Sequence, residues 1–140
     1  MIVKVIDASA LAKFLLKEVG WQEVYEELKE GVLSTDLVLK EVSSVVLKRL
    51  RRGELSREEA DSALMALKRL LGSALKIEDE AGYVDEAIGM AVETGVTIYD
   101  ALYIVLSKAR NSTLLTADRS QAKAALGKGV NVRLIDARAT

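Results

Sequence analysis

The chain has 140 residues, half of them hydrophobic and 29% charged, with a formal net charge of −1. That profile suits one folded domain with a real core and excludes a disordered chain or a broadly basic nucleic-acid binder. It holds neither Cys nor His, which excludes disulfides, thiolate metal sites, Cys nucleophiles and His-based triads.

Catalysis, if there is any, therefore falls to carboxylates, Lys, Arg, hydroxyls or a hard metal ion. No apolar run approaches the ~18 residues of a membrane span, and no charged-then-apolar leader precedes Val3. A soluble protein with no membrane partner is expected, and the absence of Cys points to the cytoplasm.

Ile2 to Ile6 is a nearly continuous β-branched run, as expected of a strand buried on both faces, and Asp7 closes it. Ala8 to Lys17 and Trp21 to Glu30 read as helices, Val32 to Ser34 as a short strand, and Asp36 to Arg52 as a long helix stopped by Gly53. Ser56 and Glu59 form a capping box that opens a helix to Leu71. Leu75 to Ile77 is another short strand. Ala81, Val84, Ile88, Ala91 and Val92 then keep helical spacing up to Gly95.

Ala101 to Leu106 is almost wholly apolar, which predicts a helix buried all round. Thr113 to Thr116 reads as a strand, Asp118 to Leu126 as a helix and Val130 to Ile135 as a last strand. Strands alternating with helices imply right-handed crossovers and a parallel sheet sandwiched between helices. No repeat, linker or low-complexity tract interrupts the pattern, so residues 1–140 read as a single α/β domain.

Open α/β sheets bind ligands at the carboxyl ends of their strands, where Asp7 and Asp118 fall. Each also stands where a helix begins, and Asp is a favoured N-cap; Asp118 with Gln121 even fits a D-x-x-Q capping box. Thr97 with Asp100 fits a capping box too, but Asp100 opens the most apolar helix, where an unpaired charge would be expensive. Glu41 lies at 100° per residue beside Leu37, Val38 and Val45, a poor place for a solvated acid, although Lys48 could pair with it. Asp36, Glu78, Asp79, Glu80 and Asp136 read as caps or solvated charges. Together, four carboxylates without His or Cys would make an all-oxygen site suited to Mg²⁺ or Mn²⁺, and such ions hydrolyse phosphodiesters without His.

Four segments carry a family resemblance: VIDASALAKFL (Val5 to Leu15), LVLKEVSSVVLKRL (Leu37 to Leu50), TIYDALYIVLSKA (Thr97 to Ala109) and LLTADRSQA (Leu114 to Ala122). In this order, across nearly the whole chain, they resemble PIN-domain ribonucleases, most closely the VapC-type toxins of toxin–antitoxin pairs. The resemblance implies a three-layer α/β/α sandwich with a central, mainly parallel sheet. It also implies that Asp7, Glu41, Asp100 and Asp118 form a catalytic acidic quartet for Mg²⁺ or Mn²⁺, supported by the hydroxyls of Ser9 and Thr116. An RNA substrate, a cognate antitoxin and a homodimer or higher homo-oligomer are implied as well. Some relatives carry a further acid just after the last Asp; Arg119, Ser120 and Gln121 follow here, so a ligand for a second metal is not matched.

The expected activity is therefore a metal-dependent endoribonuclease cleaving single-stranded RNA. The basic run Lys48, Arg49, Arg51 and Arg52 can contact RNA phosphates or form a solvated helix end. A PIN nuclease of housekeeping RNA processing fits the same residues, as does a PIN-like domain kept only to bind a partner. A receiver-type phosphoacceptor would want adjacent acids after the first strand and a Lys after the last, and DAS and LIDARAT supply neither. A haloacid-dehalogenase-like phosphatase would want Asp where Ser9 stands.

Overall fold

The computed structural model describes residues 3–135; Ile2 and Asp136 lie outside them. Among the described residues five strands form one sheet: β1 (Lys4–Ile6), β2 (Val32–Thr35), β3 (Leu75–Glu78), β4 (Leu114–Thr116) and β5 (Val132–Leu134). Their spatial order is β3-β2-β1-β4-β5, and every neighbouring pair is parallel. Val5 pairs with Leu33 on one side and Leu114 on the other, which seats β1 at the centre.

Each parallel step needs a crossover, and the helices supply it. α1 (Ala8–Leu15) and α2 (Trp21–Glu30) join β1 to β2, α3 (Leu37–Arg51) and α4 (Arg57–Leu70) join β2 to β3. A 3₁₀ turn at Glu80–Tyr83, α5 (Val84–Thr94) and α6 (Ile98–Ala109) carry the chain back past β1 to β4, and α7 (Arg119–Gly127) leads to β5. α1 packs against α2, α3 and α4, whereas α6 packs against α5 and lies on β1, β2 and β4. Helices therefore cover both faces of the sheet, the three-layer α/β/α arrangement expected.

The chain winds outward from β1 to β3 and then reverses to β4, so the topological switch point falls between β1 and β4. Asp7 and Asp118 follow these two strands. α6 forms as its composition predicts: Ala101 through Ser107 are all buried. The Ser56–Glu59 capping box is complete in both directions. Among the described residues no single helix is long and apolar enough to cross a membrane.

α5 corrects the sequence reading. Ile88 and Val92, expected on its core stripe, are 49% and 81% exposed, while Ala87 and Met90 are the buried pair. The apolar residues form one wide arc: Val84 and Ala91 of the expected stripe do pack against the core, but the arc's buried edge is Ala87 and Met90, and its other edge, Ile88 and Val92, faces out. Ala81 belongs to the 3₁₀ turn rather than to the helix.

Candidate active site

Asp7 is 3% exposed and its carboxylate accepts from four donors. Oδ1 accepts from the Ser9 hydroxyl at 2.7 Å and from the Ala10 amide at 3.0 Å, the second being the N-cap bond of α1. Oδ2 accepts from the Thr116 hydroxyl and from Gln121 Nε2 at 2.9 Å. Two donors on each oxygen fix the orientation of the carboxylate. Burial still raises its pKa to about 6; the donors from Thr116, Ala10 and Ser9 oppose the rise, and Asp118 adds to it.

Ser9 and Thr116 do more than hold Asp7. Their hydroxyls lie 3.2 Å apart, Ser9 Oγ accepts from the Ala117 amide at 2.9 Å, and Thr116 Oγ1 accepts from the Asp118 amide at 3.0 Å. The carboxyl ends of β1 and β4 are thus laced together through side chains, which fixes Asp7 against Asp118.

Asp118 caps α7, Oδ1 accepting from the Ser120 and Gln121 amides and the Ser120 hydroxyl. The expected D-x-x-Q box forms only in that direction. The Gln121 side chain does not return to the cap; it turns to Asp7, is 1% exposed, and leaves Oε1 buried without a partner. Gln121 is therefore a site residue that capping logic misassigned.

Asp100 shows the same one-way pattern. Its amide donates to Thr97 Oγ1 at 3.1 Å, but its carboxylate accepts from none of the described residues. Burial first, then the charges of Asp118 and Asp7, push its pKa up to about 6.

Glu41 finds its partner not in Lys48 but in Tyr103, whose hydroxyl donates to Oε1 at 2.6 Å. Burial raises the Glu41 pKa, the Tyr103 bond opposes the rise, and Asp100 and Glu80 add to it. Burial and the facing Glu41 charge hold the Tyr103 phenol far above its ordinary range, so it remains a donor. Tyr103 is the last residue of the YDALY stretch; only its place in that motif marked it.

All four acids line one cavity of 260 Å³, together with Ser9, Tyr103, Ser44 and Lys48. Among the described residues no three acids are already gathered tightly enough to grip one ion. They surround the space instead. The donor set is all oxygen, and the raised values of Asp7, Glu41 and Asp100 record burial first and repulsion from neighbouring acids second, both of which a cation would offset. These residues fit a hard divalent ion.

Of the four basic residues expected near RNA, only Lys48 lines this cavity. Arg49 pairs with Glu18 at 2.5 Å, and Arg51 and Arg52 are exposed at the end of α3. Three of the lesser acids have partners of their own. Asp36 accepts from the Glu80 amide, Asp79 caps the 3₁₀ turn, and Glu78 binds the Tyr83 hydroxyl and pairs with Arg110.

A family model described as the PIN domain matches residues 4–126. Ribonuclease VapC3 of Pyrobaculum aerophilum is 33% identical over 121 residues, spanning 85% of this chain and 92% of that protein. Exonuclease VapC9 of the same organism is 32% identical over 114 residues, spanning 81% of this chain and 79% of that protein. The crystal structure of PAE2754, also from Pyrobaculum aerophilum, matches with a TM-score of 0.70 at 28% identity, covering 94% of this chain and 92% of that one.

Proposed function

The chain belongs to the PIN-domain family and is a VapC-type nuclease, a phosphodiester hydrolase; from that premise we propose a divalent-metal-dependent endoribonuclease cleaving single-stranded RNA, the toxin of a toxin–antitoxin pair. The observation that carries this reading is the convergence of Asp7, Glu41, Asp100 and Asp118 on one cavity at the switch point of the sheet. In this proposal the four hold Mg²⁺ or Mn²⁺. A bound ion would supply an activated water and stabilise the attacking and leaving oxygens of a phosphodiester.

The chain's own residues have separate tasks. Ser9, Thr116, Gln121 and the Ala10 amide orient Asp7, and Tyr103 orients Glu41. Lys48 makes no ion pair with any described residue, leaving its ammonium to anchor a phosphate beside the acids. We place the protein in the cytoplasm, in keeping with its lack of Cys. An antitoxin would act by covering this cavity. Exposed Ile88 and Val92 on α5 support assembly with a second copy.

The test uses purified chain, free of antitoxin, with a circular single-stranded RNA in Mg²⁺ and in Mn²⁺. Wild type should open the circle, which an exonuclease cannot do, and Asp118→Asn should be slower by ~10²-fold or more, about 2.7 kcal/mol of transition-state stabilisation. Equal cleavage by both proteins would identify a contaminant and remove Asp118 from the site. A wild type that degrades linear but not circular RNA would establish the exonuclease alternative.

A further inference from the structure

A second cavity adjoins the acidic one. Its volume is 580 Å³, within the roughly 300–1,000 Å³ of ordinary ligand sites. Gly95, Thr97, Asp100, Ser120, Lys123 and Lys128 lie on its walls, where the α5–α6 connection faces α7. Asp100 lines both cavities, so the space beside the acids continues on the far side of that residue.

The lining is matched to a polyanion with sugar hydroxyls. Lys123 is exposed and makes no ion pair with any described residue, whereas Lys128 is committed to Glu93. Thr97 Oγ1 accepts from the Asp100 amide, which leaves its hydroxyl proton free to donate to a phosphate oxygen. Ser120 Oγ donates to Asp118, which leaves its lone pairs free to accept from a ribose hydroxyl. Lys48 stands on the wall of the acidic cavity, so unpaired ammonium groups line both spaces. An acidic reaction centre repels RNA, and cations on the adjoining walls offset that repulsion where the strand must enter and leave.

We propose that the cleft between Thr97 and Lys123 is a subsite for the nucleotides flanking the scissile phosphate, with Lys123 contacting the RNA backbone. This rests on the nuclease reading and deepens it: a strand that crosses the acids and continues into a second cleft is cut internally. The subsite also assigns Lys123, outside the basic run of α3, a role in substrate binding.

The test separates binding from catalysis. A fluorescent 12-nucleotide single-stranded RNA is titrated with the full chain in EDTA, and anisotropy is read at several salt concentrations. Lys123→Ala should weaken binding by ~3–10-fold and lower the salt slope by about 0.7, the value of one phosphate contact on a single strand. Lys123→Glu should weaken it further, and Lys68→Ala on α4 should match wild type. A 4-nucleotide RNA, too short to fill both cavities, should not sense the Lys123 change. Wild-type affinity and slope in both Lys123 variants, with thermal melts showing them folded, would overturn the subsite while leaving the nuclease standing. A wild type that neither binds nor cleaves RNA would overturn both.

Discussion

Asp100 is ill suited to the metal-free protein and suited to a cation. Its carboxylate accepts no hydrogen bond from the described residues, and its pKa is raised to about 6 by burial, Asp118 and Asp7. The unfolded chain ionises this group near 3.8. Between those values the folded protein keeps a proton that the unfolded chain has lost, so stability falls as pH rises through the window and stays lower above it. A rise of that size is worth about 3 kcal/mol in full, discounted to about 1 kcal/mol because the group is partly wet. Asp100→Asn should therefore melt roughly 3–5 °C higher than wild type at pH 7.5 in EDTA, with the gain gone near pH 4. The same variant should lose cleavage, and millimolar Mn²⁺ should raise the wild-type melting temperature more than its own. A variant that melts lower at pH 7.5 would contradict the repulsion. Gln121 makes the complementary case. Gln121→Leu removes one donor to the charged form of Asp7, so the acid limb of the pH–rate profile should move to higher pH. Its stability should change by less than about 1 kcal/mol, because the lost bond is offset by removal of the unpartnered Oε1. An unmoved acid limb would show that Gln121 does not hold Asp7.

At the scale of elements, α2 is fastened to the sheet by one buried acid. Glu27 is 4% exposed, and it meets Lys4 of β1 at 2.8 Å and Arg133 of β5 at 2.5 Å, two strands separated by β4. Burial acts to raise the Glu27 pKa, but the bonds and charges of Lys4 and Arg133 outweigh it and hold the group below its ordinary value. The sign is opposite to that of Asp100: the stabilisation is present above the unfolded pKa and lost as pH falls below it. Glu27→Gln should cost about 2 kcal/mol at pH 7, less than a fully buried pair because both cations are partly wet, and should flatten the acid side of the stability curve. Urea melts at pH 7 and pH 3.5 check this; an equal loss at both would deny the charge its role. How far sequence reached also differs between elements. α6 was legible because an unbroken apolar run leaves no face for water. α5 was not, since its apolar arc is wider than the face it buries, and only packing selects Ala87 and Met90 over Ile88 and Val92.

For the whole molecule, the outer face of α5 is the consequence. Val92 at 81% and Ile88 at 49% exposure lie four residues apart on one stripe. We expect sedimentation of wild type at micromolar concentrations to show a dimer or larger species, and Ile88→Glu with Val92→Glu to shift it toward monomer. All four acids of the cavity come from one chain, so the monomeric variant should still cleave RNA. Wild type that stays monomeric throughout the concentration range would refute the expectation.

The sequence by itself determined the alternation of strands and helices, and with it the parallel sheet and the placing of Asp7 and Asp118 at its carboxyl edge. These follow from local periodicity and from the handedness of crossovers. The absence of His and Cys likewise narrowed the chemistry to oxygen ligands before any geometry was known. Glu41 was legible because a carboxylate on an apolar helix face needs a partner, but the partner, Tyr103, lies 62 positions away. Gln121 reads locally as a cap, and only the juxtaposition of β1 with β4 turns it toward Asp7. Arg49 and Lys48 are neighbours in sequence, yet 100° of helix rotation sends one to Glu18 and the other to the acids. The tertiary structure decided these because a contact between distant residues depends on how faces are packed, and packing is written in no single segment of the chain.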